Sequence, residues 1–172
     1  MRRGSQWVVV DIRLAHRADL PRIVAVYNAS IPSRQATADT APVTVEQRGA
    51  WFDRHMPDRR PLWVVEREGK VVGWLSLSDF YGRPAYHATV EMSLYIDPRY
   101  RRQGLGLGLV EYAVEHAPAL GIRTLLALVF AHNQASLKLL MNLCGFTCWG
   151  NLPRVAELDG AEKDVLILGR RV

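Results

Sequence analysis

Cysteine is scarce: the chain has two, Cys144 and Cys148. Two cannot build a disulfide framework, and a Cys-x-x-x-Cys spacing with no second ligand pair is a poor zinc pattern, so both read as reduced thiols of a cytoplasmic protein without a metal. Long apolar runs are missing too; none approaches the roughly 20 residues a membrane-crossing helix needs. Behind Arg2 and Arg3 the apolar run at 7–10 is cut short by Asp11 and Arg13, so no signal peptide is expected. No Lys/Arg tract exceeds three residues and no aromatic stacking motif accompanies one, which leaves net charge alone in favour of nucleic acid. Internal repeats, low-complexity segments and linkers are absent, and 172 residues suit one domain spanning 1–172.

What is present is an ordinary globular composition, with 49% hydrophobic and 23% charged residues. The 22 basic and 17 acidic side chains leave a net charge of +5, which an anionic small-molecule cofactor accounts for as well as a polyanion would.

A β-rich run covers 7–14. Asp19 and Pro21 open a helix that ends before Pro32. A polar loop covers 33–42, and Thr44 caps a second helix ending near Pro57. Strands at 62–65 and 71–77 flank a hairpin turn in which Gly69 supplies the bend. The most informative strand is 87–97. Its even positions, Ala88, Val90, Met92, Leu94 and Ile96, are apolar; its odd positions, His87, Thr89, Glu91, Ser93, Tyr95 and Asp97, are polar or amphipathic. That period of two predicts one face in the core and one facing something wet. A basic, glycine-bearing loop over 99–104 leads into a helix that Pro118 ends or kinks. A continuous apolar strand follows at 124–130, then a helix at 133–143 and two closing strands at 146–152 and 164–168. The order β-α-α-β-β-β-α-β-α-β-β is a mixed α/β domain in which 87–130 forms a right-handed parallel crossover.

The segment Arg101-Arg102-Gln103-Gly104-Leu105-Gly106-Leu107-Gly108 sits between a strand and a helix start. Free N–H groups at a helix N-terminus, aided by the helix dipole, hold phosphate oxygens. Gly104 and Gly106 let the backbone approach an anion closely. No Gly-Lys-Ser/Thr follows, which rules out a Walker loop. Position 109 is Leu, and the segment lies past the middle of the fold, which argues against a dinucleotide fingerprint.

With Arg101, Gly104 and Gly106 filling Arg/Gln-x-x-Gly-x-Gly/Ala, the chain resembles the GNAT superfamily of N-acetyltransferases. A second signal is Asn133-Gln134-Ala135-Ser136, closing with Gly145-Phe146. Val26-Tyr27-Asn28, Trp51-Phe52, Arg83-Pro84-Ala85-Tyr86, Thr89-Val90-Glu91-Met92-Ser93-Leu94-Tyr95-Ile96 and Leu152-Pro153 are similar to its phosphinothricin and methionine-sulfone branch. The resemblance implies a mixed, mostly antiparallel central sheet, a parallel fourth–fifth strand pair and about four flanking helices. It implies acetyl-CoA as cosubstrate, a small amine as acceptor, and a homodimer. Backbone groups of Leu94, Tyr95 and Ile96 are expected to pair with the pantetheine arm as an added strand. Amides of Arg102, Gln103, Gly104, Leu105, Gly106 and Leu107 are expected to cradle the pyrophosphate, and Asn133 to bond the cofactor. Ser136 is either a further contact or a helix-face hydroxyl.

An ammonium group has no lone pair, so acetyl transfer needs a base at neutral pH. Glu91 is the candidate, acting directly or through a water; the alternative is a charged residue on a half-exposed strand. Arg83 is either a bidentate partner for a substrate carboxylate or a solvated loop residue. Tyr86 lines the acceptor pocket in the same reading, and His87 is either a substrate contact or a satisfied structural histidine. The chain departs from the family at Leu139 and Leu140, where many members place a Tyr or His, and has one surplus residue between Ser136 and Gly145. The stretch 156–164 is acidic where the branch has aromatics, which shifts the expected acceptor toward cationic amines. Acetylation of a protein amine, or acyl-CoA sensing without catalysis, are the competing readings.

Overall fold

The computed structural model describes residues 11–172. Of the first expected strand, Asp11–Leu14 is seen as β1; positions 7–10, like the rest of the segment read for a signal peptide, lie outside the described residues. Next come the helices α1, Leu20–Asn28, and α2, Val45–Asp53. Thr44 caps α2 as expected. Its hydroxyl accepts the Gln47 N–H at 3.2 Å while the Gln47 side chain accepts the Thr44 N–H at 2.8 Å, a reciprocal box that satisfies two orphan donors. Asp19 does sit before α1 but does not cap it: its carboxylate takes the His16 N–H at 2.7 Å and pairs with Arg13.

The strands β2, Leu62–Arg67, and β3, Lys70–Asp79, form the expected hairpin around Glu68 and Gly69. Then follow β4, Thr89–Ile96; α3, Leu105–His116; and β5, Thr124–Phe130. Helix α4, Gln134–Leu137, runs on as a π-helical turn, Lys138–Leu143, where the Cys144 N–H reaches the Leu139 carbonyl five residues back at 3.1 Å. A π turn holds one more residue than an α turn, a geometry that suits the surplus residue expected between Ser136 and Gly145.

The closing strands are longer than expected: β6 is Thr147–Leu158 and β7 Ala161–Arg171. They meet at Asp159 and Gly160, whose φ angles of 51° and 79° suit the two-residue turn that matches strand twist. The stretch 156–164 is therefore a hairpin tip. Its acids are largely engaged away from the cleft described below. Asp159 pairs with Arg34, Glu162 with Arg154, and Asp164 accepts the Arg154 N–H at 2.9 Å, pinning the bulge between Leu152 and Ala156.

All seven strands form one sheet in the order β1-β2-β3-β4-β5-β7-β6, antiparallel except for the β4–β5 pair. The expected α/β class and four-helix complement are borne out. Alternation along the strands divides two cores. Val90, Met92, Leu125, Ala127 and Leu168 pack against α3 and the α4 region, whereas Leu62, Val64 and Trp74 pack against Ile23, Val26 and Tyr27 of α1. Beyond β4 no helix of the described residues covers the α1-side face, and Leu128 in mid-strand is 45% exposed.

The chain leaves β4 through Asp97, a buried carboxylate. It accepts the Arg99 N–H at 3.0 Å, and its oxygens pair with the Arg99 and Arg22 guanidinium groups. Those arginines, Arg99 foremost, hold its carboxyl far below the usual carboxylate range. A depressed folded-state value stabilises the fold above the ordinary titration range and is lost as pH falls through it. Asp97→Asn is expected to lower unfolding free energy by about 1–2 kcal/mol at pH 7, a figure reduced for the exposed Arg99 partner. Denaturation measured against pH should show that gap narrowing below pH ~4.

Candidate active site

Pairing between β4 and β5 covers three residue pairs, Thr89 with Thr124, Val90 with Leu125 and Glu91 with Leu126. Beyond these the strands part, while β4 stays paired to β3 and β5 to β7. The gap is a cleft of about 310 Å³, with Glu91, Leu94 and Tyr95 on one side and Ala127 and Val129 on the other. Asn133, Ser136, Leu139 and Leu140 close it from the α4 region, and Gln35 to Ala38 wall its remaining side.

The free edge of β4 follows from alternation. The Ala88 carbonyl accepts the Thr124 N–H of β5, and the Asp97 N–H bonds Val72 at the end of β3. Main-chain groups of Met92, Leu94 and Ile96 therefore turn toward the gap, and those of Ser93 and Tyr95 toward β3. This corrects one expectation: Leu94 and Ile96 offer an unpaired strand edge, but Tyr95 contributes through its side chain. Its hydroxyl donates to the Ala36 carbonyl at 3.2 Å, its ring packs on Tyr27 and Trp74, and burial raises its phenol above the ordinary range.

At the end of this edge lies the glycine loop. Gly104 is the residue before α3 with φ 78°, and the first helical bond runs from the Gly108 N–H to its carbonyl at 2.9 Å. The N–H groups of Leu105, Gly106 and Leu107 thus have no acceptor within the helix. Arg102, at φ 60°, and Gln103 are exposed beside them, and a Cβ on Gly104 would meet nothing within 4 Å. Gly104 is needed for its left-handed backbone. Gly106 is glycine for another reason than the one expected, since a Cβ there would lie 3.1 Å from Leu139 and 3.6 Å from Leu94. It lets α3 start hard against β4 and α4.

Asn133 is buried and doubly engaged. Its Oδ1 accepts the Ser136 N–H at 3.1 Å, capping α4, and its Nδ2 donates to the Gln35 carbonyl at 3.0 Å. Ser136 lines the cleft with its side chain. Glu91 is half-buried and forms no ion pair or side-chain hydrogen bond among the described residues; burial raises its carboxyl above the ordinary value. Among the described residues, no Lys, Arg or His lines the cleft.

Arg83, Tyr86 and His87 are brought together elsewhere, in a separate hollow of about 210 Å³ with Arg59 and Asp79. Tyr86 packs on Phe80 and Tyr81, and the His87 Nδ1 lies 2.9 Å from the Pro84 carbonyl, the satisfied-histidine arrangement. The expected pull of 156–164 on the acceptor also finds no carboxylate in the cleft, since Ala156 is the residue of that stretch lining it. Cys144 is buried, its thiol pushed up to about 11 by desolvation, and Cys148 is exposed; neither lines the cleft. The segment 33–40, read from sequence as a polar loop, is tied down through its carbonyls at Arg34, Gln35 and Ala36 and through the side chains of Arg34, Thr37 and Asp39.

Among known proteins, residues 23–146 match the model of the acetyltransferase (GNAT) family. A relative from Bacillus subtilis (strain 168), provisionally named a phosphinothricin acetyltransferase, is 50% identical over 164 residues, 95% of this chain and 99% of its own. An L-methionine sulfoximine/L-methionine sulfone acetyltransferase of Pseudomonas aeruginosa is 34% identical over 159 residues, 92% of each chain. The crystal structure of a GNAT superfamily phosphinothricin acetyltransferase from Sinorhizobium meliloti, in complex with acetyl-CoA, matches with a TM-score of 0.89 and 28% identity over 96% of this chain and 89% of its own.

A carboxyl whose folded-state value is raised favours the fold below its ordinary titration range and loses that contribution as pH rises through the raised value. The neutral substitution Glu91→Gln is therefore expected to make the protein more stable at pH 7–8, by up to about 1 kcal/mol once solvent screening is allowed for. Thermal unfolding across pH checks it: the advantage should vanish below pH ~4.

Proposed function

The chain belongs to the acetyltransferase (GNAT) family, and from that premise we propose that it moves an acetyl group from acetyl-CoA to the primary amine of a small amino-acid-like acceptor, with Glu91 as general base. The observation that carries this reading is the position of Glu91. It is the one carboxylate lining the cleft, half-buried, at the point where β4 and β5 part and the unpaired strand edge begins.

The residues present fit acetyl-CoA. Leu94 and Ile96 offer main-chain donors and acceptors to the pantetheine amides, and the α3 N-terminus offers N–H groups to the diphosphate. Arg101 and Arg102, exposed and in no ion pair among the described residues, add attraction for its phosphates. When bound, acetyl-CoA supplies the activated acyl group as a thioester. Glu91 takes a proton from the acceptor ammonium, directly or through one water, and its desolvation makes it a stronger base than a free carboxylate. An N–H of the β4 edge, such as that of Ile96, stabilises the charge developing on the thioester oxygen. Transfer is direct in this reading, in keeping with neither cysteine lining the cleft. Leu139 and Leu140 supply no proton to the departing thiolate, which takes one from water or leaves as the anion. The names of the Bacillus and Pseudomonas relatives support an amino-acid-like acceptor over a protein amine.

The reading extends to a homodimer in a reducing cytoplasm, in keeping with two free cysteines. The uncovered face of β5, β7 and β6 supports the dimer: Leu128 lies beside Ile167, Trp149 packs over Gly169, and Leu152 and Val155 are exposed. Sedimentation should report a dimer for the native chain and a folded monomer for Leu128→Arg; a native monomer would refute this part.

Thiol release with a panel of amino acids and amines tests the activity. Glu91→Gln should cut kcat about a hundredfold while leaving acetyl-CoA affinity within about twofold. The wild-type rate should rise with pH through a value above the ordinary carboxylate range, and the variant should lack that limb. Equal losses of affinity and rate would overturn the base assignment, and acetyl-CoA binding without turnover on any acceptor would point to a sensor.

A further inference from the structure

Pairing between β4 and β5 ends at Glu91 and Leu126, so Met92 and Ala127 are the first residues of the two strands to stand apart. Both line the cleft, and both are buried. Alternation turns them to the α3 side of the sheet, where they share a core with Val90, Leu125 and Leu140. Glu91, one residue before Met92, points to the other face. The closed end of the cleft therefore has a carboxylate on the α1 side and an apolar floor of Met92 and Ala127 behind it, with Leu140 lining the same side from the π-helical turn.

That floor is uneven. β5 reads Thr-Leu-Leu-Ala-Leu-Val-Phe, and its smallest side chain falls at the first open position. An alanine among large aliphatic neighbours leaves room, and here the room opens into the cleft. Across from it stands a methionine, unbranched and able to change shape around what it touches.

The chemistry of a thioester directs an acyl chain to this place. Its carbonyl carbon is planar and has three substituents. In the acetyl-transfer reading the sulfur leads back along the β4 edge toward the α3 N-terminus, and the oxygen faces a gap-side N–H of β4. The remaining substituent, the acyl chain, then points across the gap toward β5. Glu91 must serve an amine attacking the same carbon, which places that carbon near the closed end of the cleft. Attack comes perpendicular to the carbonyl plane, from the face that holds Glu91, so the acyl chain extends away from the acceptor and onto the floor.

We propose that Met92 and Ala127 set which acyl group this chain carries: they bound the space beyond the thioester carbon, which admits acetyl and propionyl and resists butyryl. This rests on the acetyl-transfer reading above and goes beyond it by naming the residues that select the donor.

Thiol release with acetyl-, propionyl- and butyryl-CoA, one acceptor held fixed, tests the proposal through kcat/KM ratios between donors. Each ratio is taken within one variant, so a change in folded fraction cancels. In the wild type butyryl-CoA should fall at least about tenfold behind acetyl-CoA, the effect that a surplus methylene has in a fitted apolar pocket. Met92→Ala should recover most of that gap. Ala127→Val should set propionyl-CoA about tenfold further behind acetyl-CoA than in the wild type. A wild type that uses butyryl-CoA as well as acetyl-CoA would overturn the proposal, and so would ratios that neither substitution moves. A shift in one variant alone would strike the other residue from it. If the wild type releases no thiol with any acceptor, the acetyl-transfer reading fails by itself. Calorimetric affinities of the three thioesters then decide the matter: a butyryl-to-acetyl ratio that rises in Met92→Ala upholds the floor, and an unmoved ratio overturns it.

Discussion

A sheet that parts in its middle leaves main-chain donors and acceptors with no partner, and the rest of this molecule is arranged around that gap. Buried peptide groups are almost always paired, so an unpaired strand edge inside a domain persists only where water or a ligand completes it. Here β4 keeps its bonds to β3 and β5 keeps its bonds to β7, while between them only the stretch ending at Glu91 and Leu126 is joined. The separation is held open from the core side, where Leu139 and Leu140 line the cleft and the start of α3 rests on Leu94 through Gly106. A Cβ at position 106 would lie 3.1 Å from Leu139, so that side chain would have to give by a few tenths of an ångström.

Charge follows the same plan. Arginines gather where the strand ends: Arg99 and Arg22 converge on Asp97, and Arg101 and Arg102 stand free beside the helix N-terminus. Among the described residues the cleft lining has no cation, so the Glu91 carboxylate is desolvated with no counter-charge from them. These two carboxylates have opposite fates because their neighbours differ. Asp97 is held ionised and steadies the backbone that leads into the loop, whereas Glu91 is left hungry for a proton. A carboxylate in that state lowers stability at neutral pH.

Much of this was legible from residue order. Period-two alternation located β4 and chose its wet face, continuous apolarity marked β5 at its observed ends, and Thr44 announced its helix. The long β6–β7 hairpin was cut short because β6 lies exposed along most of its length. Its sequence therefore has no apolar alternation to read, and the Asp159-Gly160 turn signal stood among acids that looked like loop. In the cleft, Glu91 could be placed on the wet face of β4 from the strand pattern, whereas what was expected of Leu94 and Ile96 came with the family resemblance. The reason for Gly106 could not, because close packing against Leu139 is a tertiary fact. Arg83, Tyr86 and His87 follow β3 closely in sequence but turn into their own hollow, and only the turn geometry at Pro84–Tyr86 decides that.

The loop over 35–38 shows why such a cleft wall resists reading from sequence. Its wall residues, Ala36, Thr37 and Ala38, have small side chains with little chemistry to announce them, and the groups that anchor them are carbonyls that every residue carries. The information lies instead in the donors, His132 and Asn133, roughly a hundred positions away. Asn133 uses its oxygen for α4 and its nitrogen for the loop, so the two sides of the cleft share one side chain. A change of residue there acts on both sides at once, whereas a change in the loop itself alters shape without disturbing the edge that faces the gap. Residues 36–38 can therefore alter the shape of that wall without touching the strand edge, the helix start or Glu91.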